Sequence, residues 1–221
     1  MLDIFKHEVH LIALSIMGIV YISKIIWILK FKPMKERTPS KGNEKKAISM
    51  SFLSLLMPWT MESTSKKWYK WLEFGIFHVG IALAIAASFI ISFSPETITG
   101  DVSIAFRAVF AISLLIVIIR TGRRLFLPVN RLISHPDDYF SIIMMALWFF
   151  FGIFALQNDG TSKAYFDESN IFLLIYLGIT AFLIAYVPFS KMSHYILWPF
   201  SRYYFGKTFG HRGTYPKVKG L

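Results

Sequence analysis

Residues 71–93 read WLEFGIFHVGIALAIAASFIISF, a run in which only Glu73 and His78 interrupt the apolar, small and hydroxyl side chains. About 20 apolar residues are what a helix needs to cross a hydrocarbon core of ~30 Å, so this segment reads as a transmembrane helix. Comparable runs recur at about 8–30, 104–126, 138–157 and 169–198 in a chain of 221 residues that is 55% hydrophobic and 17% aromatic. We therefore expect an all-α membrane protein: a bundle of five transmembrane helices forming a single membrane domain over residues 1–221. The fifth run is long enough to protrude beyond the bilayer. The first follows Met1-Leu2-Asp3-Ile4-Phe5-Lys6 without a small-residue cleavage site, so it is expected to remain as the first helix.

Between the first two spans lies a polar stretch, Pro33 to Lys46, and then an apolar segment over residues 47–59. At that length it is too short to span and reads as an interfacial or re-entrant helix bounded by Pro58 and Trp59. Most of the lysines and arginines fall on one side of a five-span topology. Lys30, Lys32, Lys35, Arg37, Lys41, Lys45, Lys46, Lys66, Lys67 and Lys70 join spans one and two, Arg120, Arg123, Arg124 and Arg131 join three and four, and Arg202, Lys207, Arg212, Lys217 and Lys219 sit in the tail. The opposite side has Lys6 and Lys163 among Asp3, Glu8, Glu96, Asp101, Asp159, Asp167 and Glu168. The positive-inside bias then predicts the N-terminus outside and the C-terminus cytoplasmic, in a cytoplasmic (inner) membrane.

That topology accounts for the formal charge of +11, which leaves no call for a nucleic-acid partner. The chain has no cysteine, so disulfides, thiolate metal sites and iron–sulfur ligation are excluded within it. Nucleophile elbows, metalloprotease spacing and phosphate-binding glycine loops are absent as well, and no catalytic residue is assigned.

Two histidines stand out by depth. His78 lies eight residues beyond Lys70 on the second span, ~12 Å at 1.5 Å per residue, and His194 lies eight residues before Arg202 on the fifth, again ~12 Å. Two imidazoles at one depth would make a bis-histidine haem site, six-coordinate and suited to electron transfer rather than to substrate chemistry at iron. Gly75, Gly80, Ala82, Ala84, Ala86 and Ala87 leave a helix surface that something bulky can approach. The competing reading is that each histidine hydrogen-bonds within the bundle.

Two motifs give these positions a resemblance. Phe77-His78-Val79-Gly80 resembles the Phe-His-Ile-Gly of the membrane cytochrome b (gamma) subunits of respiratory nitrate reductase, a likeness shared with membrane subunits of heterodisulfide-reductase-like and sulfite-reduction-associated complexes. Pro188-Phe189-Ser190-Lys191-Met192-Ser193-His194 resembles their Pro-Phe-Ser-(Arg/Lys)-x-x-His, and Pro136 to Tyr139 adds weaker support. The resemblance implies haem b held by His78 and His194 as axial ligands to its iron. Dihaem members carry two further histidines where this chain has Ser88 and Tyr176, so it implies a monohaem variant.

Further polar groups lie within apolar spans and invite a cause. Ser88, Tyr176, Arg107 and His10 are candidates for a quinone pocket in the outer half, against the plainer alternative of aromatic and aliphatic repacking. Lys191 and Lys24 are candidates for contacts to haem propionates, and Lys24 for snorkelling instead. His7 is expected at the interface, His135 in the loop before a helix cap at Asp137 or Asp138, and His211 on the surface of the basic tail, residues 200–221, which suits docking to a partner or to anionic lipid.

The expected function is thus a haem b-containing anchor subunit of a respiratory oxidoreductase complex. It would pass electrons between membrane quinone, the substrate, and a cytoplasmic iron–sulfur partner subunit. The alternative is a haem-free membrane scaffold or transporter component that uses its histidines for packing or proton transfer.

Overall fold

The computed structural model describes residues 1–31, 36–54, 57, 67–158 and 160–216. Every regular element among them is helical. Five helices are long and apolar enough to cross a membrane, and the chain is a multi-pass membrane protein on that ground: α1 (Leu2–Lys30), α3 (Trp68–Phe93), α4 (Gly100–Phe126), α6 (Pro136–Ala155) and the fifth span, Ile171–Phe189, whose regular part is α7 (Ile171–Tyr186). Three shorter or non-spanning helices complete the set: α2 (Glu44–Leu53), α5 (Pro128–Leu132) and α8 (His194–His211).

Two sequence expectations change. The fifth span does not run to residue 198. Pro188 has no N–H to donate to the helix, and the chain leaves through a 3-10 turn, Val187–Phe189, to an extended Ser190 (ψ 173°). His194 consequently opens a separate helix. The apolar segment expected at 47–59 is helical from Glu44, with Asn43 as its N-cap accepting from the Lys46 amide at 2.9 Å; residues 55–56 and 58–59 of that segment lie outside the described set. The chain is described as two compact units, residues 1–19 with 72–190, and residues 20–71 with 191–221.

In the first unit α4 packs on α6 and α6 on α7. The buried positions recur at helical spacing: Phe110, Ser113, Ile116 and Val117 on α4, and Met145, Trp148, Phe149, Gly152 and Ala155 on α6. Gly152 lets the helices close, since a Cβ there would stand 2.9 Å from the Phe110 ring and 3.1 Å from that of Tyr176. A chain of polar groups in this core is satisfied internally, as an apolar solvent demands, whereas the buried Ser113 hydroxyl has no partner among the described residues. The Trp148 indole donates to Thr180 Oγ1 at 2.7 Å, Thr180 donates to the Tyr176 carbonyl at 2.8 Å, and the Tyr176 hydroxyl donates to the Ala84 carbonyl.

At one end of this unit Glu73 receives Arg120 Nε at 3.0 Å and Arg123 Nη1 at 2.8 Å, and the Arg120 guanidinium lies 4.6 Å over the Phe77 ring. Nearby in sequence, His135 proves to be the N-cap of α6 itself. Its amide donates to Asp138 at 2.8 Å and its ring accepts from the Asp137 amide, which closes a capping box.

The second unit is built on α2 against α8. Gly206 and Gly210, spaced four apart, form the contact face of α8: a Cβ at Gly206 would stand 2.5 Å from the Ile48 Cα, and one at Gly210 2.5 Å from the Ala47 Cβ. The basic tail is therefore an ordered helix folded onto α2 as far as His211, which is half-buried rather than a surface residue. The ring's Nδ1 faces Glu44 Oε1 at 2.8 Å and its Nε2 faces the Thr38 carbonyl at 2.9 Å, while Arg212 grips Glu36 at 2.6 Å. Gly213, at φ +70°, supplies the left-handed turn that ends this helix.

Candidate functional site

His78 and His194 present the same local arrangement although they stand on different elements. His78 is half-buried on α3, its ring 3.9 Å from that of Phe74, and its Nδ1 lies 2.7 Å from the Phe74 carbonyl. His194 is exposed at the first turn of α8, with Nδ1 3.2 Å from the Lys191 carbonyl. A carbonyl only accepts, so in each neutral ring the proton sits on Nδ1 and the lone pair on Nε2. Metal-ligating histidines are oriented in this way, by donating the second ring nitrogen to a backbone carbonyl.

Around His194 the second unit forms an open groove of about 560 Å³, lined by Lys191, Ser193, Leu197, Trp198, Arg202 and Phe205 among others. Its wall is mostly apolar, with cations at Lys191 and Arg202. Trp198, whose ring meets Phe52 edge-on at 5.3 Å, keeps its indole N–H buried without an acceptor among the described residues. An imidazole with its lone pair on Nε2, an apolar wall, two cations and an orphaned donor are a donor set that fits a flat apolar cofactor bearing carboxylates. Neither Trp198 nor Arg202 stood out in the sequence as a site residue. Both follow His194 on one helical face, at offsets of four and eight, but only once α8 begins at His194.

The residues considered for a quinone pocket separate into two groups. Ser88, Tyr176 and His10 gather on one stretch of α3: Ser88 donates to the Ile85 carbonyl at 2.8 Å, Tyr176 donates to that of Ala84, and the His10 ring meets the edge of Phe89 at 5.8 Å. Ser88 and Tyr176 are fully buried and their hydroxyls are committed to helix carbonyls. His10 differs. Its Nδ1 donates to the Phe5 carbonyl at 2.6 Å, across a π-helical turn (Phe5–Val9), and its Nε2 is buried with no partner among the described residues. Such turns recur at functional positions in helices.

Arg107 belongs to another cluster. Its charge acts on Tyr165, whose hydroxyl donates to the Ile98 carbonyl at 2.7 Å while Asn158 donates to it at 2.8 Å. Burial raises the Tyr165 pKa above its ordinary value, so the hydroxyl stays a donor. Lys6, almost fully buried, donates to the Tyr165 carbonyl at 2.7 Å and lies 4.8 Å from the Phe166 ring. This knot ties the start of α1 to the loop before α7. Lys24 is half-buried on α1 in the second unit, and Lys191 is exposed at the groove.

The chain matches no family model, no curated protein and no solved structure, so the likeness to the cytochrome b subunits rests on its two short motifs.

Proposed function

We propose that this chain is a membrane electron-transfer subunit that binds one haem b through His78 and His194. The observation that carries the reading is local to each ring: Nδ1 turns to a backbone carbonyl three or four residues earlier, which makes Nε2 the lone-pair nitrogen. Bound there, a bis-histidine haem supplies one-electron chemistry with no open coordination position. The Phe74 and Phe77 rings pack against that of His78, at 3.9 Å and 5.6 Å.

Quinone is the proposed membrane substrate, and His10 is the residue assigned to it. An orphaned acceptor buried in an apolar bundle suits a hydroxyl donor such as a quinol, whose proton Nε2 can take. Electrons would leave to an iron–sulfur subunit on the cytoplasmic side of the inner membrane, because a chain without cysteine cannot hold such a cluster itself.

The test is spectroscopic. The purified chain should show a low-spin b-type spectrum and near one haem per polypeptide by pyridine haemochrome assay, and His78→Ala and His194→Ala should each abolish that spectrum while leaving an inserted polypeptide. Absence of a Soret band from chain purified under haem-replete expression would refute the proposal in favour of the scaffold reading. Two haems per chain would refute its monohaem form.

A further inference from the structure

The face of α8 that begins at His194 continues through Leu197, Trp198, Ser201, Arg202 and Phe205, at helical offsets that keep all six on one side and along one wall of the groove. Of the polar groups on that wall, Ser201 already donates to the Leu197 carbonyl at 3.1 Å. Trp198 Nε1 does not: it is buried and lacks an acceptor among the described residues. Arg202 is half-buried, and among the described residues no carboxylate pairs with it, whereas Arg120, Arg123, Arg124 and Arg212 all have one. A buried donor left unpaired carries a desolvation cost, and a guanidinium one turn along the same face supplies both charge and a planar fork for an acidic oxygen pair. The groove thus lines up an imidazole, an apolar wall, an indole N–H without an acceptor and a guanidinium without a carboxylate among the described residues.

We infer that Arg202 and Trp198 form the acid-binding end of the haem site, taking a propionate carboxylate of the haem assigned above to His194; the inference rests on that assignment. Arg202 stands eight residues beyond His194, ~12 Å along the helix at 1.5 Å per residue, and its flexible stem lets the guanidinium reach back toward the imidazole by a turn. A tetrapyrrole held at His194 against Leu197 and the indole would then present its acidic edge to this end. Lys191 lies in the 3-10 turn before this helix and is the weaker claimant, since the ammonium is a point charge without the bidentate fork.

A fixed positive charge at the edge of a haem favours the ferrous state, which carries one positive charge fewer. The intact chain, purified with haem bound, is titrated redox-potentiometrically and by redox-difference infrared spectroscopy of the carboxylate region. We expect Arg202→Gln to keep one haem per chain and to weaken reduction about tenfold, a fall of ~59 mV for a one-electron couple. Arg202→Lys should restore the potential to within about threefold of the native equilibrium, because it keeps the charge. Trp198→Phe should leave stoichiometry and packing intact and shift the propionate carboxylate band, because it removes only the donor.

A haem that depends on His194 but shows the native potential and carboxylate bands in Arg202→Gln and Trp198→Phe overturns this inference and leaves the haem assignment standing. So does an acidic phospholipid that copurifies with the native chain and is lost from Arg202→Gln while the haem is unchanged, for the groove then holds a lipid phosphate. Loss of haem from both Arg202→Gln and Arg202→Lys also overturns it, since the retained charge should suffice. Haem retained by His194→Ala overturns the assignment and the inference together.

Discussion

Replacing Gly206 with Ala tests the backbone contact between α2 and α8. The added Cβ would stand 2.5 Å from the Ile48 Cα, 2.8 Å from its N and 2.9 Å from the Ala47 carbonyl oxygen. All three are main-chain atoms, so no side chain can turn away and the helices must part by about 1 Å, a gap that forfeits roughly a quarter to a half of each pair's dispersion well. Overpacking of this kind costs about 1–3 kcal/mol, against which Ala returns about 1 kcal/mol of helix propensity. Gly75 on α3 is the control, because a Cβ there meets nothing within 4 Å and Gly75→Ala should be stabilising by up to about 1 kcal/mol. The two substitutions, identical in chemistry, should therefore differ by about 2 kcal/mol in opposite directions. Gly210→Ala adds a second arm: its nearest obstacle is the Ala47 Cβ at 2.5 Å, so Ala47→Gly should rescue Gly210→Ala and do nothing for Gly206→Ala. The assay is hydrogen exchange of peptides covering Glu44–Leu53, with thermal unfolding in detergent. Equal protection of that helix in the Gly206→Ala and Gly75→Ala proteins would refute the packing argument, as would rescue of both α8 variants by Ala47→Gly.

The remaining predictions follow from polar contacts. Both ring nitrogens of His211 face acceptors, which only the imidazolium can satisfy, and its pKa is raised first by the Glu44 carboxylate and then by the Thr38 carbonyl. The stabilisation should be complete below about pH 6.5, the unfolded value, and vanish as pH rises through the higher folded one; exchange at Thr38–Lys41 should accelerate over that window in the native chain and show no such step in His211→Gln. Glu73→Gln strips Arg120 and Arg123 of their shared carboxylate and should lower stability by about 1–3 kcal/mol, read by thermal unfolding against a Glu96→Gln control; equal midpoints would remove Glu73 from any structural part. Replacing His10 by Phe should slow quinol-dependent haem reduction while dithionite reduction stays native, and unchanged quinol kinetics would clear His10 of that assignment.

Much of the fold was legible because the bilayer imposes a length on each span. The ends of the apolar runs at 71–93, 104–126 and 138–157 lie within four residues of the ends of the corresponding helices. What escaped were local interruptions with physical signals of their own. Pro188 sits inside the motif that drew attention to His194, and a proline within an apolar run marks a helix end at the preceding residue. Reading through it merged a span with a separate helix. Gly206 and Gly210 lie in a basic tail that reads as a docking segment, yet their spacing of four is that of a close helix contact. The partner face, around Ala47 and Ile48, lies more than 150 residues away, and nothing local to the tail announces it.

The candidate site divides along the same line. His78 could be singled out by residue type, because an ionisable group in an apolar span needs a reason; His194 reads that way only when the fifth span is carried past Pro188, and the span ends at Phe189. Ser88 and Tyr176 could be flagged on the same ground, but whether a hydroxyl is committed depends on a neighbouring carbonyl. In this fold the Tyr176 hydroxyl takes Ala84's, from another helix, and Ser88's takes that of Ile85. The converse holds for Trp198. An indole reads as an ordinary interfacial aromatic until burial leaves its N–H without an acceptor.

Moving the start of α8 to His194 also changes how the C-terminal region can be tested. Cutting the chain at Phe205 would remove Gly206, Gly210 and His211, and with them the surface on which α2 rests. Loss of a partner after such a truncation would report the collapse of this unit as readily as the loss of a docking surface. Charge substitutions at Lys207, half-buried on α8 and 5.9 Å from the Tyr203 ring, leave the glycine face intact. Lys207→Glu should therefore weaken association with an acidic partner surface while exchange in Glu44–Leu53 stays native. If association survives that reversal across a range of salt, the basic face of α8 does not carry the docking, and the Arg120 to Arg131 segment of the first unit becomes the surface to probe.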